Sequence, residues 1–218
     1  MRLGKNVGWS TLVAAAGAVV MLFAAQGAMA VITGSAHDFK AKTWNPSGEI
    51  CNVCHAPHNT ASSSLLWNHA TTASSYTMYS SSSLTATGLA VGAGSVSKLC
   101  LSCHDGTVAI DSFGGATGTV TIGTGVGANA KANLLNGTSS LTDDHPIGFA
   151  YTAALATSDG GLVTPTSVSL VSAGVPLYGG TGQLECASCH DVHNAPNVAK
   201  LLRVANTGSA LCLKCHSK

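Results

Sequence analysis

The chain has 218 residues, of which 9% are charged and 5% aromatic, with 10 Lys+Arg against 9 Asp+Glu. That balance excludes the strongly basic surface on which nucleic-acid binding rests. So few aromatics leave a chain of this length short of the apolar core it would normally build. The first segment, residues 1–30, opens with Arg2 and Lys5 and continues through an uncharged small-residue stretch from Thr11 to Ala25. It ends in Ala28-Met29-Ala30, the pattern of a secretory signal peptide. The apolar stretch falls short of the roughly 20 residues of a spanning helix. A mature protein beginning near Val31, soluble outside the cytoplasm and without a membrane span, is therefore expected.

Beyond the leader, the cysteines dominate the reading. All 8 fall in C-x-x-C pairs, Cys51/Cys54, Cys100/Cys103, Cys186/Cys189 and Cys212/Cys215, and a histidine follows each pair: His55, His104, His190 and His216. C-x-x-C-H is the c-type haem attachment signature. The two thiols form thioethers to the porphyrin vinyl groups, and the histidine binds the iron on the proximal side. Zinc sites also use C-x-x-C but do not need a histidine after each pair. Disulfides suit an exported chain but do not explain the repeated spacing. Four covalently bound haem c groups are expected, supplying much of the core themselves.

The chain also repeats. Cys51-Asn-Val-Cys-His-Ala-Pro-His-Asn59 parallels Cys186-Ala-Ser-Cys-His-Asp-Val-His-Asn194, and Leu99–His104 parallels Leu211–His216. A histidine precedes each half, His37 in the first and His145 in the second. Residues 31–105 read as a first di-haem module and 181–218 as a second. Residues 106–180 form a Gly/Ser/Thr-rich connection that contains a distal-ligand candidate, the whole making one tetrahaem domain. The expected fold is mostly irregular coil with a few short helices and small strands, organised by haem. Helical turns are predicted at Val96–His104, Ala199–Leu202 and around Leu211–His216. Thr117–Val126 and Val163–Val171 alternate as strands do, though coil over haem faces fits them equally.

Five histidines remain as distal candidates: His37, His58, His69, His145 and His193. A histidine three residues beyond a proximal ligand is held on its own haem's proximal side and must reach a different iron. On that argument His58 is expected at the haem of Cys100/Cys103 and His193 at that of Cys212/Cys215. His69 has no counterpart in the second half and reads either as a ligand or as a hydrogen-bonding residue beside a haem. Met78 reads as packing. Bis-histidine ligation gives lower potentials than Met/His.

These motifs, with Leu65-Leu-Trp-Asn-His69, Cys100–Gly106 and Asp144-His-Pro146, resemble the doubled-C-x-x-C-H multihaem cytochromes, and among them the filament-forming tetrahaem cytochromes of metal-reducing bacteria. The resemblance implies an electron carrier rather than an enzyme, located outside the cell or on its surface. It implies identical subunits joined head to tail, with a histidine of one completing an iron of the next, a role carried here to His37. Other redox cytochromes or extracellular electron acceptors would be partners. The competing readings are a monomeric periplasmic shuttle and a multihaem oxyanion reductase, the latter disfavoured by five spare histidines.

Overall fold

The computed structural model describes residues 31–58, 64–122, 139–165, 170–171 and 174–217, and Val31–Lys218 forms one compact unit. Regular structure is sparse, as a chain rich in Gly, Ser and Thr dictates: most segments are turns and coil between short helices and two-residue strands. Among the described residues no helix is long and apolar enough to cross a membrane.

Helix α1, Val96–His104, carries the second motif. Ser95 caps it, its extended backbone letting the hydroxyl accept from Lys98 N–H at 3.1 Å, which satisfies one of the free donors of the first turn. Its Leu101 is buried with Leu141, and Tyr76, Met78, Val91 and Ile147 pack around them. Strand β1, Thr77–Met78, pairs in parallel with β2, Ser140–Leu141, at the edge of this cluster. Met78 thus has the packing role expected of it.

The second cluster comprises Phe149, Tyr151, Val175, Leu177 and Leu184, with Leu211 and Cys215 packed against it. It is framed by β3, Phe149–Ala150, which pairs antiparallel with β6, Gln183–Leu184. A two-residue hairpin of β4, Leu170–Val171, and β5, Val175–Pro176, lies between them in sequence. The Tyr151 hydroxyl donates to the carbonyls of Val163 (2.6 Å) and Cys215 (3.2 Å), tying the fourth motif to this core. Helix α2, Ala153–Asp159, was not anticipated. Thr152 caps its start by accepting from Leu155 N–H, and Gly160 at φ 71° ends it, a left-handed position that glycine takes without steric penalty.

The strand expected over Thr117–Val126 is absent from the described part, residues 117–122. The Asp111 carboxylate accepts from the N–H groups of Thr119 and Val120, so the donors a ladder would use are taken by a side chain. Residues 123–126 lie outside the described residues. Among the described residues of Val163–Val171, Leu170–Val171 is strand and residues 163–165 are coil, with Val163 N–H bonded to the Cys215 carbonyl at 2.8 Å; residues 166–169 lie outside the described residues.

Candidate haem-attachment site

Every C-x-x-C-H sits on a single helical turn. The first is a 3-10 turn, Cys51–Val53; the second ends α1; the third forms α3, Cys186–Cys189; the fourth is a 3-10 turn, Cys212–Lys214. Outside α1, the histidine N–H bonds back to the first cysteine's carbonyl in each motif: His55 to Cys51 (2.8 Å), His190 to Cys186 (3.1 Å) and His216 to Cys212 (2.9 Å). Positions i and i+3 of such a turn share a face, so both thiols point the same way. All eight cysteines are free.

The turns stand next to one another. Burial and then the neighbouring Cys54 push the Cys103 thiol up to about 12, which puts the first motif beside the second. A hydrogen bond with Cys186, and then burial, raises Cys100, which joins second to third. Cys189 is raised by burial and then by Cys186 and Cys212, which brings in the fourth. Successive motifs thus interact electrostatically, and the bond from Cys186 N–H to Ser97 of α1 places the third motif against the second.

The proximal rings are oriented by backbone. His55 Nδ1 donates to the Leu65 carbonyl at 2.8 Å and His190 Nδ1 to the Lys200 carbonyl at 3.1 Å, each ten residues on. A carbonyl only accepts, so Nδ1 holds the proton and the Nε2 lone pair is left for a metal. An antiparallel bridge follows in each copy, His55 to Trp67 and His190 to Leu202. To aim these carbonyls the chain takes left-handed backbone at Leu65 (φ 56°) and Leu66, and at Lys200 (φ 62°) and Leu201. The spacing of His55 to Leu65 and His190 to Lys200 was a readable signal that motif inspection missed.

Three proximal histidines face a distal candidate. Ring centres lie 6.0 Å apart for His37 and His104, 6.1 Å for His55 and His193, and 6.3 Å for His145 and His216, with interplanar angles of 58°, 15° and 74°. Two imidazoles on opposite sides of one iron have centres roughly 6 Å apart, each nitrogen being about 2 Å from the metal and about 1 Å from its ring centre. The donor set and its spacing fit haem c. Burial, then His104 and His190, lowers His37 to about 4, which keeps it in the neutral form that ligation needs. Its buried Nδ1 has no hydrogen-bond partner among the described residues.

The pairing differs from the sequence expectation. His193 lies against His55 of the first module, and the ring beside His216 is His145. The ring beside His104 is His37, of the same chain, not His58. For His193 the ring alongside belongs to another motif, and that partner is set by how the turns stack and not by sequence order. His58 is exposed, and among the described residues no ring is paired with it or with His190.

His69 is 1% exposed. Its Nδ1 donates to the Ala70 carbonyl at 2.7 Å and its Nε2 lies 3.6 Å from Cys103 Sγ. His145 uses the same device, Nδ1 to the Pro146 carbonyl at 2.9 Å. His193 is held differently, with Nδ1 3.8 Å from the Asp191 carboxylate. Asp105, beside His104, is 2% exposed and accepts from Thr72, Tyr76 and Thr107. Burial opposes its charge, but those donors outweigh it and lower its carboxyl below the usual range. Among the described residues no three His, Cys, Asp or Glu side chains converge as a metal-ion cluster; the histidines meet in pairs.

No curated protein matches the chain. Residues 180–218, which hold the third and fourth motifs, match the family described as doubled CXXCH motif. Residues 180–218 thus carry a paired attachment unit consistent with a c-type multihaem cytochrome; the CXXCH motifs indicate covalently bound haem c and point to an electron carrier.

Proposed function

We propose that the protein is an exported tetrahaem electron carrier with bis-histidine irons, and that it assembles head to tail outside the cell. Haem c supplies one-electron exchange at its iron when bound. The chain's own residues hold, orient and space the sites. The observation that carries the reading is the set of three histidine pairs at 6.0–6.3 Å, each joining a proximal ring to one from a distant part of the sequence. His37 serves His104, His193 serves His55 and His145 serves His216. The neighbouring thiols of successive motifs support one row of four sites in chain order.

His190 is the proximal ligand left to complete, and the repeat suggests by what. In the second module the histidine three residues past the proximal ligand reaches back to the first motif of the first module. The same relation applied to His58 carries it to the third motif of a preceding subunit. A contact of that kind, heterologous and unclosed, propagates as an open filament. His37, engaged with His104 in its own chain, gives up the crossing role to His58.

A specific observation favours the runner-up. His69 is buried, its Nδ1 is fixed and its Nε2 points at Cys103 Sγ. If His69 completes the iron of His190, all four sites close within one chain and the protein is a monomeric shuttle. The intact mass of the exported protein tests the haem count, four additions being expected. Electron microscopy of the extracellular fraction tests assembly. Filaments lost in His58→Ala but kept in His69→Ala support the polymer. Dispersed monomers whose spectrum changes only in His69→Ala support the shuttle.

A further inference from the structure

The second and third motifs belong to different modules, yet a closed set of buried hydrogen bonds joins them. Glu185, immediately before Cys186, is 3% exposed, and Ser97, three residues before Cys100, is fully buried. The Glu185 carboxylate accepts from Ser97 N–H at 3.1 Å and, through the same oxygen, from the Ser97 hydroxyl. That hydroxyl accepts in turn from Cys186 N–H at 2.9 Å. Glu185 N–H donates to the Ser188 hydroxyl at 3.0 Å, and Ser188 is also fully buried. The bonds of Ser97 with Glu185 and Cys186 span 88 and 89 positions, and they fix the start of α1 against the start of α3.

Two physical consequences follow. A buried carboxylate with charge-assisted donors is among the stronger polar links available, so it sets the spacing of the two attachment turns more firmly than apolar packing would. The same carboxylate has no ion pair among the described residues: it accepts from two groups of Ser97 and from Ser188 N–H, with the N-terminal end of α1 contributing its dipole. It lies one residue from Cys186 and close to Cys100. A fixed negative charge in a low-dielectric site favours the oxidised form of a nearby redox centre.

We propose that Glu185 is a positioning residue at the junction of the two modules, one that holds the second and third haem sites in contact and lowers the potential of both. This deepens the electron-carrier reading and rests on it. The residue has no part in attachment or ligation, so its effects are separable from loading.

The test compares Glu185→Gln and Ser97→Ala in the exported holoprotein with the parent, by redox titration and circular dichroism of the Soret band. Glu185→Gln removes the charge and keeps an acceptor for Ser97. It should leave the Soret couplet intact and move two of the four midpoints positive. A tenfold change in the reduced-to-oxidised ratio at fixed potential is expected, about 59 mV for a one-electron couple. Ser97→Ala removes the hydroxyl bridge and should lower the couplet at least twofold. Midpoints in Glu185→Gln that coincide with the parent's would overturn the electrostatic role, and an undiminished couplet in Ser97→Ala would overturn the positioning role. Should Glu185→Gln fail to accumulate, Ser97→Ala alone decides. In-gel haem staining of the parent comes first: a chain without thioether-bound haem defeats the underlying reading and the proposal with it, whereas a loaded chain with unmoved midpoints defeats the proposal alone.

Discussion

In the residues the structure describes, the loop after His55 and the loop after His190 share their hydrogen bonding, while the histidines three residues past these ligands sit in different surroundings. In both copies Nδ1 of the proximal ring meets a carbonyl ten residues on, and two successive residues take left-handed backbone to aim it. Yet His193 stacks on His55 at 15° and is flanked by Asp191, whereas among the described residues no ring is paired with His58, and the position equivalent to Asp191 is Ala56. A repeat in sequence reproduces local hydrogen bonding, because that depends on neighbours along the chain. It does not reproduce tertiary surroundings, which depend on what the rest of the chain brings up. The second copy has the first module to lean on.

The strongest way to break that comparison is to remove the histidine at each position. His58→Ala should abolish filaments, lowering their yield by well over tenfold, while the isolated chain keeps its haem content. His193→Ala acts within the subunit. One iron per chain should become high-spin and, when reduced, bind one carbon monoxide, the other three remaining low-spin. Electron paramagnetic resonance and carbon monoxide titration read this directly. Four low-spin irons in His193→Ala would mean that His55 is served by another ring and would dissolve the contrast drawn above.

How much of this was legible depends on the range of the interaction. Helix Val96–His104 was readable because Ser95 and the Leu/Cys spacing are local signals, and the turn at Ala199–Leu201 was readable for the same reason. Helix Ala153–Asp159 carried comparable signals in Thr152 and Gly160, but it lies in a stretch whose composition suggested only coil. The strand pattern of Thr117–Val126 misled because Asp111, six residues earlier, takes the N–H groups of Thr119 and Val120. Candidate ligands could be named from the repeat, since residue type and spacing decide who is able to bind. Their partners could not. The contacts of His193 with His55 and of His37 with His104 span 138 and 67 positions, and no local signal encodes them. Glu185 with Ser97 was hidden for the same reason.

A smaller effect separates the copies through Asp191. Its carboxylate lies 3.8 Å from His193 Nδ1 and accepts from the N–H groups of His193 and Ala195. Groups that hydrogen-bond or face the far nitrogen of a ligating histidine raise its basicity and fix its ring. Asp191→Asn should therefore move one midpoint positive, by less than the loss of His193 does, with all four irons still low-spin. Ala56→Asp, the reciprocal change, should leave the isolated chain's midpoints unchanged, because His58 faces no ring there. A midpoint shift from Ala56→Asp in the monomer would place His58 at an iron of its own subunit.

The smallest effect concerns the shared geometry itself. Lys200 at φ 62° and Leu65 at φ 56° occupy a region that costs a non-glycine residue about 1 kcal/mol. Both keep their carbonyls as acceptors whatever the side chain, so glycine relieves strain without removing the bond to the proximal ring. Relief is offset by the greater freedom glycine gives the unfolded chain. The net gain in the monomer should be no more than about 1 kcal/mol, some 2–4 °C in Tm at this chain length, and similar for Lys200→Gly and Leu65→Gly. The copies should part company on assembly. Leu65 is 57% exposed and close to the turn that carries His58, so in a filament its side chain is placed to be covered by the neighbouring subunit, while Lys200 is not. Leu65→Gly should weaken filaments that Lys200→Gly leaves intact. Equal filament stability in the two variants would show that the loop after His55 stays in solvent, and would move the subunit contact elsewhere on the first module.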